Sequence, residues 1–345
     1  MRAGVRTPGA KDTSLLYVAT PLWIKSDPVH RDSYPLVMSP IGQTLAVDHL
    51  SKRFGKVDAV RDLTFTVAPG RVTGFLGPNG SGKTTTLRCI LGLVAPSAGT
   101  AHVAGVAYRD LERPGHVVGA ALEASGFHPG RTARNHLLVI GDALGMPRGR
   151  ADDVLELVGL SDAARRKAGG FSLGMRQRLS LAAALMGDPG VLILDEPANG
   201  LDPEGIAWLR GFLRGLALEG RTVLVSSHVL SEVQQTVDDV VIISRGQLVE
   251  SGPLASLAGT GAMRVRVRTP NREALVTALA GVGDANTSLE LISSDELIVT
   301  GLDSATVGHA AHGAGVELHE LTQPVNDLES LFLELTATGN PGGAA

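Results

Sequence analysis

The sequence predicts an α/β protein whose parallel sheet is covered by helices on both faces, and three observations predict it. The apolar-rich stretch 71–76, the unbroken apolar run 191–194 and the apolar-rich stretch 222–226 read as buried strands, since a strand with one wet face alternates instead. Segments of helical periodicity follow the first two, at 86–93 and 206–218. A glycine-rich loop separates the first strand from its helix, which is the context a phosphate-binding loop requires.

The elements follow in chain order. Residues 1–43 carry Pro8, Pro21, Pro28, Pro35 and Pro40 and read as a mostly disordered extension or an over-called start codon, with an extra regulatory arm as the weaker alternative. The apolar run 15–24 is broken by Thr20 and Pro21 and makes a poor signal peptide. Residues 63–67 alternate apolar and polar, and Ala68-Pro69-Gly70 turns the chain into the first buried strand. Helices are expected across 131–160, with breaks at Gly145-Met146-Pro147 and Gly159, and again over 172–186. Strands 240–244 and 247–250 around Arg245-Gly246 form a closing hairpin.

Past residue 259 the pattern restarts. A strand at 263–268, a helix at 272–280, strands at 289–292 and 296–300, a helix at 304–313 and a strand at 316–320 give the order βαββαβ, that of a small ferredoxin-like unit. A terminal helix at 326–335 follows. The expected domains are the extension 1–43, a large domain 44–258, a small α+β domain 259–337 and a tail 338–345.

Bulk composition narrows the function classes. Hydrophobic residues at 43% and charged ones at 19% fit a globular chain of 345 residues. A net charge of −4 argues against a broad nucleic-acid surface, so no nucleic-acid partner is expected. The single cysteine, Cys89, cannot close an internal disulfide, which fits a reducing, cytosolic compartment. No run reaches the ~18–20 apolar residues a membrane-crossing helix needs. His102, His116, His128 and His136 show no metal-ligand spacing.

The loop Gly77-Pro78-Asn79-Gly80-Ser81-Gly82-Lys83-Thr84 matches G-x-x-x-x-G-K-[ST] at every defined position. Its glycines let backbone N–H groups turn inward around a polyphosphate at the positive end of the next helix. Lys83 is placed to reach the β- and γ-phosphates, Thr84 to give its hydroxyl to Mg²⁺, and Thr85 to touch the α-phosphate. Asp195 and Glu196 end the buried strand 191–194, where parallel sheets place their ligand crevice. There Asp195 can support Mg²⁺ and Glu196 can act as general base toward an attacking water.

Further elements occur in one order, and together they resemble the ATPase domain of ABC transporters over residues 44–252. Phe171-Ser172-Leu173-Gly174-Met175-Arg176-Gln177-Arg178 looks like the family's signature sequence. Asn199-Gly200-Leu201-Asp202 resembles its D-loop, His228 its switch histidine and Phe54 its adenine-stacking aromatic. The fold class implied is a P-loop NTPase of ABC type: a mixed sheet core, a helical signature subdomain and an antiparallel β part. The resemblance further implies that Ser172 and Gly174 cap the γ-phosphate of an ATP held by a second ATPase subunit, so that a homodimer encloses two ATPs. It implies a membrane-spanning permease as partner and a peripheral place on the cytoplasmic face of the membrane. His228 would bond the γ-phosphate and orient the water beside Glu196.

Three positions depart from the family pattern. Glu123 stands where a glutamine usually senses Mg²⁺ and water, and Leu173 and Met175 replace the signature's glycine and glutamine. These changes are similar to those of the bacitracin and multidrug-export branch, which works with ABC-2-type permeases, and export is the expected direction. The rival readings are a soluble ABC ATPase without transport and an ATP-sensing regulatory module. The first weakens because the chain has one ATPase domain and no sustained heptads. Intact Lys83, Asp195, Glu196 and His228 weaken the second.

Overall fold

The computed structural model describes residues 42–122, 126–229, 234–256, 264–283 and 287–322. The extension up to residue 41, Glu123, the expected helix 326–335 and the tail lie outside the described residues.

A six-stranded sheet forms the centre. Its strands are β3 (Val72–Leu76), β5 (Val118–Ala121), β6 (Val191–Leu194), β7 (Thr222–Ser227), β8 (Asp239–Ser244) and β9 (Gln247–Pro253), in the order β5-β6-β7-β3-β8-β9. All neighbours are parallel except β8 and β9, the expected hairpin. Every residue of β3, β6 and β7 is buried, which is why apolar residues dominate these strands without the alternation of a half-exposed one.

One face of this sheet meets a second sheet of three antiparallel strands, β1 (Leu45–Phe54), β2 (Val57–Val67) and β4 (Ala98–Val103), in the order β2-β1-β4. Leu45, Leu50, Leu63 and Phe65 of this sheet share a core with Phe75, Ile193 and Leu224. The rings of Phe65 and Phe75 stack at 5.3 Å between centroids. Helix α1 (Lys83–Ile90) joins that core through Leu87 and Ile90.

The other face is covered by helices. After the short α2 (Pro114–Val117) come α3 (Ala133–Leu144), α4 (Arg150–Leu157), α5 (Leu173–Ala184) and α6 (Pro203–Leu218). Leu137, Val154, Leu181 and Leu213 from these helices share a core with Val72, Leu192 and Val225. Helix α6 starts three residues earlier than its periodicity implies. Asp202 caps it by accepting the Gly205 N–H at 2.8 Å, and Pro203, which has no N–H to satisfy, takes the first helical position.

Toward the C-terminus, β10 (Arg264–Arg268), α7 (Arg272–Ala280), β11 (Ser288–Leu291), β12 (Glu296–Thr300), α8 (Ser304–Gly313) and β13 (Glu320–Thr322) follow in the predicted order. The strands form an antiparallel sheet ordered β11-β12-β10-β13 with its own apolar core of Val265, Val267, Leu275, Leu297, Val299 and Val307. The last strand is displaced from the expected 316–320. The N–H of Val316 binds the carbonyl of Ala311 at 2.9 Å and its side chain closes the core beneath α8, so pairing with β10 starts only at Glu320.

Candidate nucleotide site

Three adjacent strands deliver the candidate residues to one edge of the sheet. Strands β6, β7 and β3 are neighbours, and their registers align Leu194 with Val225 and Leu76 with Ser227. The loop starting at Gly77 leaves the end of β3, Asp195 and Glu196 leave β6, and His228 leaves β7. Residues far apart in sequence thereby share one crevice at the carboxyl ends of parallel strands.

Close packing shapes the loop. A Cβ on Gly77 would lie 2.4 Å from the carbonyl oxygen of Ile243 and 2.5 Å from Oγ of Ser81. One on Gly82 would lie 2.5 Å from the carbonyl oxygen of Ala59, and Gly82 holds φ at +104°, so glycine is required there on both counts. Between them Gly80 faces open space. Ser81 is 2% exposed and its Oγ has no hydrogen-bond partner, a buried polar atom lying inside the loop.

The ion pairs and hydrogen bonds converge on two carboxylates. Lys83, 6% exposed, donates from Nζ to the Gly77 carbonyl at 2.6 Å and lies 3.4 Å from Oε1 of Glu196. Nδ1 of His228 is 2.9 Å from the other carboxylate oxygen, Oε2, which its N–H is placed to meet. The Thr84 hydroxyl donates to Oδ2 of Asp195 at 2.8 Å. Ser226 donates its hydroxyl to Oδ1 of Asp195 and accepts the backbone N–H of Glu196 at 2.9 Å. Glu196 itself holds a left-handed φ of +51°, a strained conformation for a non-glycine residue.

The sequence-predicted residues thus divide into groups. Gly77, Asn79, Gly80, Ser81, Gly82, Lys83, Thr84 and Thr85 sit on the loop and the first turn of α1, with Asp195, Glu196 and His228 at the neighbouring strand ends. Phe54 ends β1, half-exposed, with Nζ of Lys52 over its ring at 4.8 Å from the centroid. Ser172 caps α5, its Oγ accepting the Met175 N–H at 3.3 Å, and Gly174 lies in the first turn. Among the described residues no hydrogen bond or ion pair joins Ser172 or Gly174 to the loop of their own chain. Sequence reasoning missed Ser226, since a serine beside an apolar run carries no local signature of this role.

The loop and its surroundings fit a magnesium-bound triphosphate. Backbone amides, a buried unpartnered Ser81 oxygen and Lys83 suit phosphate oxygens, while Thr84 and Asp195 offer the hard oxygen ligands Mg²⁺ takes. No group of three or more His, Cys, Asp or Glu able to hold a metal occurs among the described residues. Mg²⁺ at phosphates needs only one or two protein ligands.

Comparison with known proteins gives this geometry a family. The family model described as ABC transporter matches residues 60–199. The bacitracin transport ATP-binding protein of Bacillus licheniformis is 43% identical over 211 residues, 60% of this chain and 69% of that protein. The chain belongs to the ABC transporter ATP-binding family. The Nod factor export ATP-binding protein I of Paraburkholderia xenovorans is 36% identical over 298 residues, 84% of this chain and 95% of the relative. A solved ATP-binding subunit of an ABC transporter superposes with a TM-score of 0.57 at 27% identity, over 62% of this chain and 92% of that one. The export-branch resemblance is therefore upheld, as is the mixed-sheet cassette fold. A second model, of a domain of unknown function, matches residues 263–329. Among the described residues no helix of the cassette protein is long and apolar enough to cross a membrane.

Proposed function

We propose that this chain is the ATP-hydrolysing subunit of an exporter, working as a homodimer that encloses two Mg-ATP and drives a separate ABC-2-type permease from the cytoplasmic face of the membrane. The observation that carries it is the Glu196 carboxylate held between Lys83 and His228, beside the Thr84–Asp195 pair. Names of two relatives, one in bacitracin transport and one in Nod factor export, support a drug, antibiotic or lipid-like cargo.

In this reading the loop amides and Lys83 bind the phosphates, and Phe54 stacks on the adenine. Thr84 and Asp195 hold Mg²⁺, with Glu123 as a further candidate ligand. The metal's chemistry is to neutralise charge on the phosphate oxygens. Glu196 takes the proton of the attacking water, and His228 orients that carboxylate and the γ-phosphate. Ser172 and Gly174, at the positive end of α5, cap the nucleotide of the second copy. In the same reading the cassette spans 44–258 and is followed by a small domain, 259–337, which we read as ferredoxin-like from the βαββαβ order and strand arrangement of its described residues.

Purified protein tested with Glu196→Gln decides the matter. Turnover should fall about a hundredfold or more while ATP is retained and a dimer accumulates on size-exclusion chromatography. Unchanged turnover would remove Glu196 from the chemistry, and absence of ATP hydrolysis in the unmutated chain would end the enzymatic reading.

A further inference from the structure

The hydroxyl of Ser227 brackets the residue that follows it. Ser227 ends β7 and is 2% exposed. Its Oγ accepts the N–H of Val229 at 3.0 Å and donates to the carbonyl of the same residue at 3.1 Å. One short, buried side chain thus holds both polar groups of the backbone just beyond His228, at the point where the strand ends.

Ser227 is itself firmly held. It lies opposite Leu76 in the register of β3 on β7, and its carbonyl accepts the N–H of Gly77, the first residue of the loop, at 3.3 Å. Directly before it, Ser226 binds the Asp195 carboxylate and the Glu196 N–H. The His228 ring, by contrast, has one hydrogen-bond partner among the described residues, Oε2 of Glu196 at 2.9 Å from Nδ1, and its side chain is 33% exposed. A ring with one partner takes its aim from its own backbone, and the buried hydroxyl of Ser227 sets that backbone.

We infer that Ser227 is a positioning residue, holding His228 so that its imidazole stays on the Glu196 carboxylate. The inference rests on the proposed function, in which His228 orients that carboxylate and the γ-phosphate. Alanine at position 227 removes the bracket. The Val229 N–H and carbonyl lose their common partner, the ring leaves Oε2, and Glu196 loses the group that orients it. Threonine keeps the hydroxyl, and a cavity of about 20 Å³ that Ser227 lines together with Val225 and Thr236 leaves space for its methyl.

The test compares the full chain with S227A, S227T, H228A and S227A/H228A. It reads steady-state ATP hydrolysis, affinity for a fluorescent ATP analogue, and nitrogen NMR spectra of the histidine rings, in which H228A assigns the His228 signal. S227A should lower kcat about tenfold with nucleotide affinity unchanged, and the His228 signal should lose the signature of its bond to Glu196. S227T should restore both. In the H228A background, adding S227A should lower kcat no further, since the serine acts through the histidine. Should alanine unfold the chain, S227C, close in size and with a weakly bonding thiol, is read against the same outcomes. Wild-type kcat or an unaltered His228 signal in S227A overturns the inference, as does a loss that S227T does not restore. An equal loss from S227A with and without His228 also overturns it, because the serine would then support the strand and not the ring. The NMR comparison decides the question even where turnover of H228A is too low to measure. Wild-type turnover in H228A would instead refute the role that the proposed function gives His228, a result separate from every comparison at position 227.

Discussion

The hydroxyl of Thr84 donates to Oδ2 of Asp195 at 2.8 Å across 111 positions of sequence. Strand β7 lies between β6, which Asp195 follows, and β3, which leads into the loop before Thr84, and its Ser226 binds the other oxygen of the same carboxylate. Asp195 is thus held from two sides before any cation arrives. That preorganisation is what a metal-supporting carboxylate needs, since outer partners fix ligand orientation.

Ser226→Ala tests this support. The serine is fully buried and serves both the Asp195 carboxylate and the Glu196 N–H, so alanine loosens the first and leaves the second unsatisfied. The apparent Mg²⁺ affinity for ATP hydrolysis should weaken about tenfold or more. Stability should fall by roughly 1–3 kcal/mol. A magnesium titration of turnover and urea unfolding read the two effects separately, and an unchanged Mg²⁺ titration would reduce Ser226 to a strand residue.

What the sequence made legible, and what it hid, follows from the range of the interactions. Gly77–Thr84 and Asp195-Glu196 declare themselves because their chemistry is written in adjacent residues at strand ends. Ser226 stayed silent because its role exists only through the register of β6 on β7, where a serine beside an apolar run has no local signature. Strand β1 was equally hard to see: register shifts at Val47/Leu50, Leu50/Lys52 and Lys52/Arg53 break the alternation that marks a half-buried strand. The misplaced final strand has the same origin, since Val316 is apolar for the sake of α8 and not of β10.

Lys83→Ala should remove nucleotide binding first and turnover with it. The ammonium is almost fully buried, donating to loop carbonyls 2.6 Å and 3.4 Å away, and it lies 3.4 Å from Glu196. Loss of one charge-assisted contact to phosphate corresponds to an affinity loss of about 10- to 100-fold. Titration with a fluorescent ATP analogue measures it. Wild-type affinity would detach the loop from phosphate binding.

A prediction about stability alone comes from Asp188. Its Oδ1 accepts from Arg221 at 2.8 Å and Arg150 at 3.3 Å, tying α4 to the start of β7, and its φ of +52° is left-handed. The Arg221 side chain, 9% exposed, keeps Glu219 and the Pro189 carbonyl as other partners. Asp188→Ala should therefore cost about 2 kcal/mol rather than the full penalty of a stranded buried charge. Asp188→Asn should cost less, because asparagine tolerates the left-handed backbone and keeps an acceptor. Urea unfolding that ranks asparagine below alanine would show that neither the backbone nor the acceptor matters here.

The last prediction concerns pH and the helical face. His136 on α3 is 8% exposed, its Nδ1 has no hydrogen-bond partner, and its ring meets that of Phe127 edge-on at 6.0 Å. Burial, reinforced by the charge of Arg131, holds its pKa below the ordinary 6.5. Above that ordinary value both the folded and the unfolded chain carry the ring neutral, and the residue contributes no pH dependence. As pH falls below it, the unfolded chain takes up the proton first, so stability is lost on acidification until the folded-state pKa is passed. His136→Gln removes this linkage without introducing a charge. From about pH 7.5 to about pH 5.5, the urea midpoint should drop further in the wild type than in H136Q. The acidic and other histidine groups titrate alike in both proteins, so the difference between the two curves belongs to His136, and parallel curves would show that the buried ring meets acid no differently from an exposed one.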